Sequence, residues 1–123
     1  MKVEVGSFTL SDANPYPYEL NDSTLQIKLL IFVAGKDSSN GTNLSIGATD
    51  GTHERVVSTL YDTSKKNDYD SAKSLLHYLN VSGTATKKLD ASDVDISTAG
   101  QFSVGTVTNY DASIPIMYIA IGE

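Results

Sequence analysis

The stretch that decides the fold lies in the last third of the chain, where GQFSVG (Gly100 to Gly105) and IPIMYIAIG (Ile114 to Gly122) flank the polar segment TNYDAS (Thr108 to Ser113). Two apolar runs around a polar segment of this kind are typical of a β-hairpin. A long exposed apolar edge would aggregate, so we expect the second run to lie in the middle of a sheet.

A second run, LQIKLLIFV (Leu25 to Val33), is apolar at nearly every position. Alternate side chains of a strand point to opposite faces of the sheet. One face would carry Leu25, Ile27, Leu29, Ile31 and Val33, and the other would carry Leu30 and Phe32. Because the second half of the run is apolar on both faces, we predict a central strand that is covered on both sides.

Shorter strands are predicted around this one, separated by turn-forming residues. Val3–Leu10 alternates and bends at Gly6-Ser7, whereas prolines confine Tyr16–Leu20 to a sheet edge or to a non-strand segment. Asp50-Gly51 is a strong hairpin signal between two further strands. Further strands are predicted at Asn43–Thr49, Glu54–Tyr61, Ala85–Leu89 and Gln101–Val107, and polar loops at Lys36–Thr42 and Asp62–Ser71. Ala91–Ile96 leads into another loop, and its Val94 and Ile96 are expected to close one end of the core.

Residues Ser71 to Leu79 fit two structures. Apolar residues at helical spacing, with Asp70 or Ser71 as a cap, would suit a helix. Alternation from Leu75 to Val81 would suit a strand, and the length of the segment does not decide between the two.

The composition is that of an ordinary soluble domain. The 123 residues are 40% hydrophobic and 20% charged, which suits one domain with one core. Abundant Ser, Thr, Asn, Asp and Gly is typical of turn-rich β proteins. Short strands at regular spacing favour a sandwich or a barrel. We predict a single antiparallel β-sandwich of about eight short strands over residues 1–123.

The charge and the apolar runs exclude several classes of partner. A net charge of −6 argues against a nucleic acid or an anionic membrane, because both need clustered Lys and Arg. No cysteine is present, which excludes disulfides and thiolate chemistry. The longest apolar run, Leu29–Ala34, is too short to span a bilayer, and Met1–Val5 lacks the apolar core of a signal peptide. We therefore expect a protein that is made in a cytoplasm and is not exported by a cleaved signal.

Few residues could carry catalysis. His53 follows a turn and is expected to be solvated, and His77 is expected to be packed or to face a neighbouring subunit. The two histidines would need a third metal ligand that the sequence does not show. Asn67–Asp70 could hold calcium, but it lacks the spacing of an EF-hand and reads better as a solvated acidic loop. We predict a protein that is not an enzyme and uses no cofactor or metal.

The seven tyrosines are the best candidates for exposed contacts, because their amphipathic rings suit subunit interfaces and sugar stacking. Most are expected to serve core and edge packing. Tyr110 lies at the tip of the last predicted hairpin, with Asn109 and Asp111 beside it. These three residues are the predicted ligand or partner contacts.

The order of several motifs resembles a known family. The motifs are VGSFT (Val5–Thr9), LQIKLLIF (Leu25–Phe32), LSIGATDGT (Leu44–Thr52), GQFSVG (Gly100–Gly105) and YIAIG (Tyr118–Gly122). Together they resemble a β-sandwich module of tailed-bacteriophage and prophage virion proteins, found in tail and fibre regions and on particle surfaces. The resemblance spans nearly the whole chain and implies that Ser71–Leu79 is a strand.

The same resemblance implies a function. It leads us to expect a virion structural protein that is made in the host bacterial cytoplasm, forms a homotrimer and contacts other virion proteins. The closing strands are also similar to those of the H-type lectin fold, whose members are small trimeric sandwiches that bind sugars. The alternative is therefore a carbohydrate-binding module that reads host-surface glycans through Asn109, Tyr110 and Asp111.

Overall fold

A computed structural model describes residues 1–11, 15–38, 41–61, 66–77, 90–108 and 114–123. These residues form two antiparallel sheets and contain no helix, which confirms the predicted all-β sandwich. The described part of the chain forms ten strands where about eight were expected. They are β1 (Lys2–Thr9), β2 (Tyr16–Glu19), β3 (Ile27–Ser38), β4 (Gly41–Thr49), β5 (Glu54–Tyr61), β6 (Lys66–Asp70), β7 (Leu76–His77), β8 (Asp90–Asp95), β9 (Gln101–Thr108) and β10 (Pro115–Gly122).

The two sheets differ in size. The larger has six strands in the order β1-β10-β3-β4-β5-β6, and the smaller has four in the order β2-β9-β8-β7. The C-terminal apolar run, β10, lies between β1 and β3, as the sequence predicts for a strand that cannot be left at an edge. The predicted hairpin of the last two apolar runs is wrong, because β9 belongs to the smaller sheet and pairs with β2 and β8 instead of β10. Long-range pairing with other strands thus overrides the local hairpin pattern. β2, which contains Pro17, lies at an edge of the smaller sheet.

The central strand changes its buried face part of the way along. Leu25 and Ile27 point into the core, but so do Leu30, Phe32 and Ala34. The pairing of β10 shifts from Leu29 opposite Ile121 to Ile27 opposite Gly122, which leaves Lys28 as an extra, exposed residue. This bulge reverses the alternation. The prediction that all the odd-numbered residues of this run share one face is therefore wrong beyond Lys28.

Two segments predicted as loops, and a third that was expected only to lead into a loop, pair as strands instead. β6 lies within the predicted loop Asp62–Ser71, and β8 covers most of Ala91–Ile96. In the predicted loop Lys36–Thr42, β3 continues to Ser38 and β4 begins at Gly41. In each case a neighbouring strand offers backbone hydrogen bonds to a polar segment, and this long-range pairing overrides the local composition. Asn67–Asp70 consequently lies in a strand and not in an acidic loop.

The ambiguous segment is not helical in its described part. Residues 71–75 form bends and an extended link, and β7 follows, pairing with β8. The implied strand is correct only at Leu76–His77 and wrong for residues 71–75; residues 78–79 lie outside the described residues, as does the predicted strand Ala85–Leu89.

An aromatic cluster fills the space between the sheets. The ring centroids of Phe8 and Tyr18 lie 4.3 Å apart, those of Phe32 and Phe102 5.5 Å, and those of Phe102 and Tyr118 5.4 Å. Tilted and edge-on pairs at these distances add to the stability that burial itself supplies. Val94 and Ile96 are buried in the same core, as predicted.

The segment before β7 crosses β4 at very close range. Gly47 faces this segment, and a Cβ atom at that position would overlap the carbonyl group of Ser74. The crossing is held by buried hydrogen bonds, since the His77 backbone N–H donates to Ser45 Oγ over 3.3 Å and Ser58 Oγ donates to the same atom over 3.2 Å. β4 therefore needs small residues on its inner side.

We predict that Gly47→Ala lowers the free energy of unfolding by about 1–3 kcal/mol or more, because the added methyl group must displace a packed backbone. The matched control is Gly35→Ala, where the nearest atom to an added Cβ is the Asn43 carbonyl oxygen at an ordinary 3.6 Å. The control is expected to change stability by about 0.5 kcal/mol or less. Equal effects of the two substitutions in urea unfolding would contradict the close crossing.

Candidate interaction surface

The outward side of the six-stranded sheet is apolar. Exposure reaches 60% at Val5, 51% at Val57, 50% at Met117 and 46% at Ile46. We call this set the outer face; its members are Val3, Val5, Leu29, Ile31, Val33, Leu44, Ile46, Ala48, Val57, Tyr69, Met117, Ile119 and Ile121. Isolated exposed apolar residues are normal on proteins, whereas a contiguous apolar set is what protein interaction sites typically present.

The strand register makes the outer face continuous. Met117 pairs with Val33, Val33 with Ile46, Ile46 with Val57, and Val57 with Tyr69. This row crosses five adjacent strands without a charged residue. A second row of apolar pairs runs parallel to it, joining Val5 to Ile119, Ile119 to Ile31 and Ile31 to Ala48.

Charge is nearly absent from the outer face. Among the described residues, Arg55 is the only charged residue that pairs directly with a member of the outer face, through Ala48. The outward side of the four-stranded sheet is different, since Glu19, Asp93 and Asp95 are exposed there. The sandwich thus has one apolar outer side and one acidic outer side.

A partly buried carboxylate network ties β1 to the Asn21–Asp22 turn and to β10, and so positions Val3 and Val5. Glu4 Oε1 accepts hydrogen bonds from the Asn21 backbone N–H over 2.8 Å and from the Tyr118 hydroxyl over 2.9 Å, and Oε2 accepts one from the Asp22 backbone N–H over 2.9 Å. Gly6 leaves the space that the Tyr118 ring needs to reach Glu4, because a Cβ atom at Gly6 would overlap the ring.

The same network shifts two pKa values. Burial is the largest single effect on Glu4 and raises its pKa, but the hydrogen bonds from Asp22, Asn21 and Tyr118 together outweigh it, so the pKa of Glu4 lies below the usual 4.5. Burial, followed by the hydrogen bond to Glu4, raises the pKa of Tyr118 to about 12. The ionised carboxylate and the neutral phenol are therefore the forms that the fold favours.

The predicted contact residues Asn109, Tyr110 and Asp111 lie outside the described residues. Of the other tyrosines, Tyr18 and Tyr118 are buried in the core, while Tyr16, Tyr61 and Tyr69 are exposed. Tyr69 belongs to the outer face. The sequence analysis missed this face as a site, although the alternating apolar residues of several strands were its signal.

The histidines lie in the surroundings that the sequence predicts. His53 is exposed on the turn after Asp50, with its Nδ1 3.0 Å from the Asp50 carboxylate. His77 is 2% exposed and its Nδ1 lies 3.4 Å from Asp70 Oδ2. The described residues contain no group of three or more acidic, His or Cys side chains that could hold a metal ion.

A shallow groove opens between the edge strands β1 and β2. Its volume is about 450 Å³, and Tyr16, which is 41% exposed, lies on its wall with Glu19 and Ser7. The ring of Tyr16 is 5.0 Å from that of Tyr18, which holds it in place. An aromatic ring with a carboxylate and a hydroxyl beside it can stack on a sugar and accept hydrogen bonds from it.

Comparisons with known proteins give no relative for this chain: no protein-family model matches it, and neither does any curated protein or solved structure. In the part of the chain that the structure describes, no helix is long and apolar enough to cross a membrane.

We predict that Glu4→Gln reduces the acid sensitivity of the fold. Because the pKa of Glu4 is lower in the folded state, its contribution is present above about pH 4.5 and is lost as the pH falls through the folded-state pKa. The variant should be less stable at pH 7 and should lose less stability between pH 5 and pH 3. Glu19→Gln, an exposed carboxylate on β2, is the control and should keep the wild-type profile. Identical profiles for wild type and Glu4→Gln in urea unfolding would contradict the network.

Proposed function

We propose that this protein is a bacteriophage virion structural protein, a small non-enzymatic sandwich that assembles on the particle through self-association and contact with neighbouring virion proteins. The observation that supports assembly is the outer face, which leaves apolar side chains of β10, β3, β4 and β5 in water. The virion setting rests on the resemblance of the sequence to virion sandwich modules, which also suggests a homotrimer.

The distribution of charge suits a protein that must stay soluble before it assembles. A net charge of −6 opposes premature association, and exposed carboxylates lie on the four-stranded sheet, away from the outer face. The apolar face then supplies the attraction when a partner of matching shape is present. Neither step needs a cofactor.

We predict that the protein bands with DNA-filled particles when a lysate of its source phage is separated on a density gradient and probed with an antibody. Val57→Lys, which places a charge in the outer face, should leave the protein at the top of the gradient. Thr108→Lys, on an exposed position of the four-stranded sheet, is the control and should still band with particles. A wild-type protein that never bands with particles would contradict the virion proposal.

A second candidate function is carbohydrate binding, and the groove beside Tyr16 favours it. The exposed ring offers a stacking surface, and Glu19 and Ser7 provide polar groups at the same groove. The sequence analysis assigned sugar stacking to Tyr110, whereas the groove offers Tyr16 for that role.

If the groove binds sugars, Tyr16→Ala should abolish binding on a glycan array, because affinity for a sugar at such a site depends on stacking against the aromatic ring. Tyr61→Ala is the matched control, since Tyr61 is an exposed tyrosine at the end of β5, remote in the sheet order from β1. A wild-type protein that binds no glycan, or equal binding by both variants, would count against this candidate.

A further inference from the structure

We infer that the outer face packs against the same face of a second copy of this chain, about a two-fold axis that passes near Val33 and Ile46. This inference rests on the self-association in the proposed function and names the surface and the partner. The six-stranded sheet of each copy then lies between the four-stranded sheet of the same chain and the six-stranded sheet of the partner.

The position of the axis follows from the strand order. In the six-stranded sheet, the middle lies between the third and fourth strands, which are β3 and β4. Val33 and Ile46 pair across these strands, and their row extends through Met117 on one side and Val57 on the other. A two-fold contact uses the same patch on both copies, so its axis must pass through the middle of the patch.

The outer face has the size of the apolar centre of a dimer interface. Its apolar positions span about six residues of β10, β3 and β4, about four of β1, and one outward position each on β5 and β6. At a strand spacing of about 4.8 Å and a rise of about 3.3 Å per residue, they project roughly 400 Å². Protruding side chains make the accessible area larger than this projection. A standard interface buries about 800 Å² on each partner as an apolar centre with a polar rim, so the face can supply the centre of such an interface.

The charges favour a second copy as the occupant. A face without carboxylates can meet its own image without burying like charges, and Arg55 lies on β5, away from the proposed axis. The acidic sides of the four-stranded sheets end up on opposite outer surfaces of the pair, where water screens them. A basic partner would instead be drawn to the acidic side.

The number of copies follows from the symmetry. A two-fold contact is complete with two chains, so the pairing predicts a dimer or an even multiple of it. The homotrimer suggested by the resemblance would have to divide the outer face between two neighbours. The two arrangements therefore differ in the molecular mass of the assembly in solution, which can be measured directly.

Sedimentation velocity tests the pairing over a range of protein concentrations. The wild type should be a dimer, Ile46→Lys should dimerise at least tenfold more weakly, and Thr108→Lys should dimerise like the wild type. Circular dichroism and thermal melting confirm that the variants are folded. A wild-type monomer at high concentration, a trimer, or equal weakening by both lysines would overturn the inference.

Cross-linking gives a second test that tolerates any loss of stability in the lysine variant. The chain has no cysteine, so single-cysteine variants report one position each. Facing sheets lie about 10 Å apart, so a bis-maleimide of that span should join two copies of Ile46→Cys near the axis. Thr108→Cys should give no cross-linked pair. The opposite pattern, or no cross-link at either position, would overturn the pairing.

The results also separate this inference from the proposed function. A trimer that bands with particles would overturn the two-fold pairing and leave the virion proposal in place. A cross-linked dimer that never bands with particles would support the pairing and overturn the virion proposal.

Discussion

The structure depends on β3, a strand whose inward side chains pack in the core and whose outward side chains are also apolar. The bulge at Lys28 makes this possible, because it lets Ile27 and Phe32 point into the same core although their numbers differ in parity. Beyond the bulge, Leu29, Ile31 and Val33 are left on the outward side. The aromatic core and the outer face at β3 therefore both depend on this one inserted residue.

The sequence predicts the elements whose apolar alternation is strong, and it fails where pairing is decided by distant residues. β4, β5 and β10 lie close to their predicted positions, β3 begins near its predicted start but continues to Ser38, and the hairpin at Asp50-Gly51 lies where its dipeptide indicates. β6 and β8 were missed because LysAsnAspTyrAsp and AspAlaSerAspValAsp contain few apolar residues, and only the free edges of β5 and β9 explain why they are extended. Long-range pairing of this kind leaves little trace in local composition.

The candidate site, too, was predictable in its apolar composition but not in its long-range pairing. The apolar character of both faces of Leu25–Val33 was visible in the sequence, and cover on both sides was expected from it. The structure supplies cover on one side only, from the four-stranded sheet. What the sequence could not give was the register that aligns Met117, Val33, Ile46 and Val57 into one row, because register depends on the turns and the bulge together. The network around Glu4 was likewise invisible, since its partners lie 17 to 114 residues away along the chain.

The pairing of β1 with β10 has a consequence for synthesis. Among the described strands, β1 has no other neighbour in its sheet, and its partner strand is translated more than a hundred residues later. At bacterial and eukaryotic elongation rates of about 5–20 residues per second, β1 waits roughly 5–20 s for the strand that completes it. Throughout that interval the nascent chain carries an unpaired strand with the apolar residues Val3, Val5 and Phe8, and an exposed apolar segment of this kind is what chaperones bind.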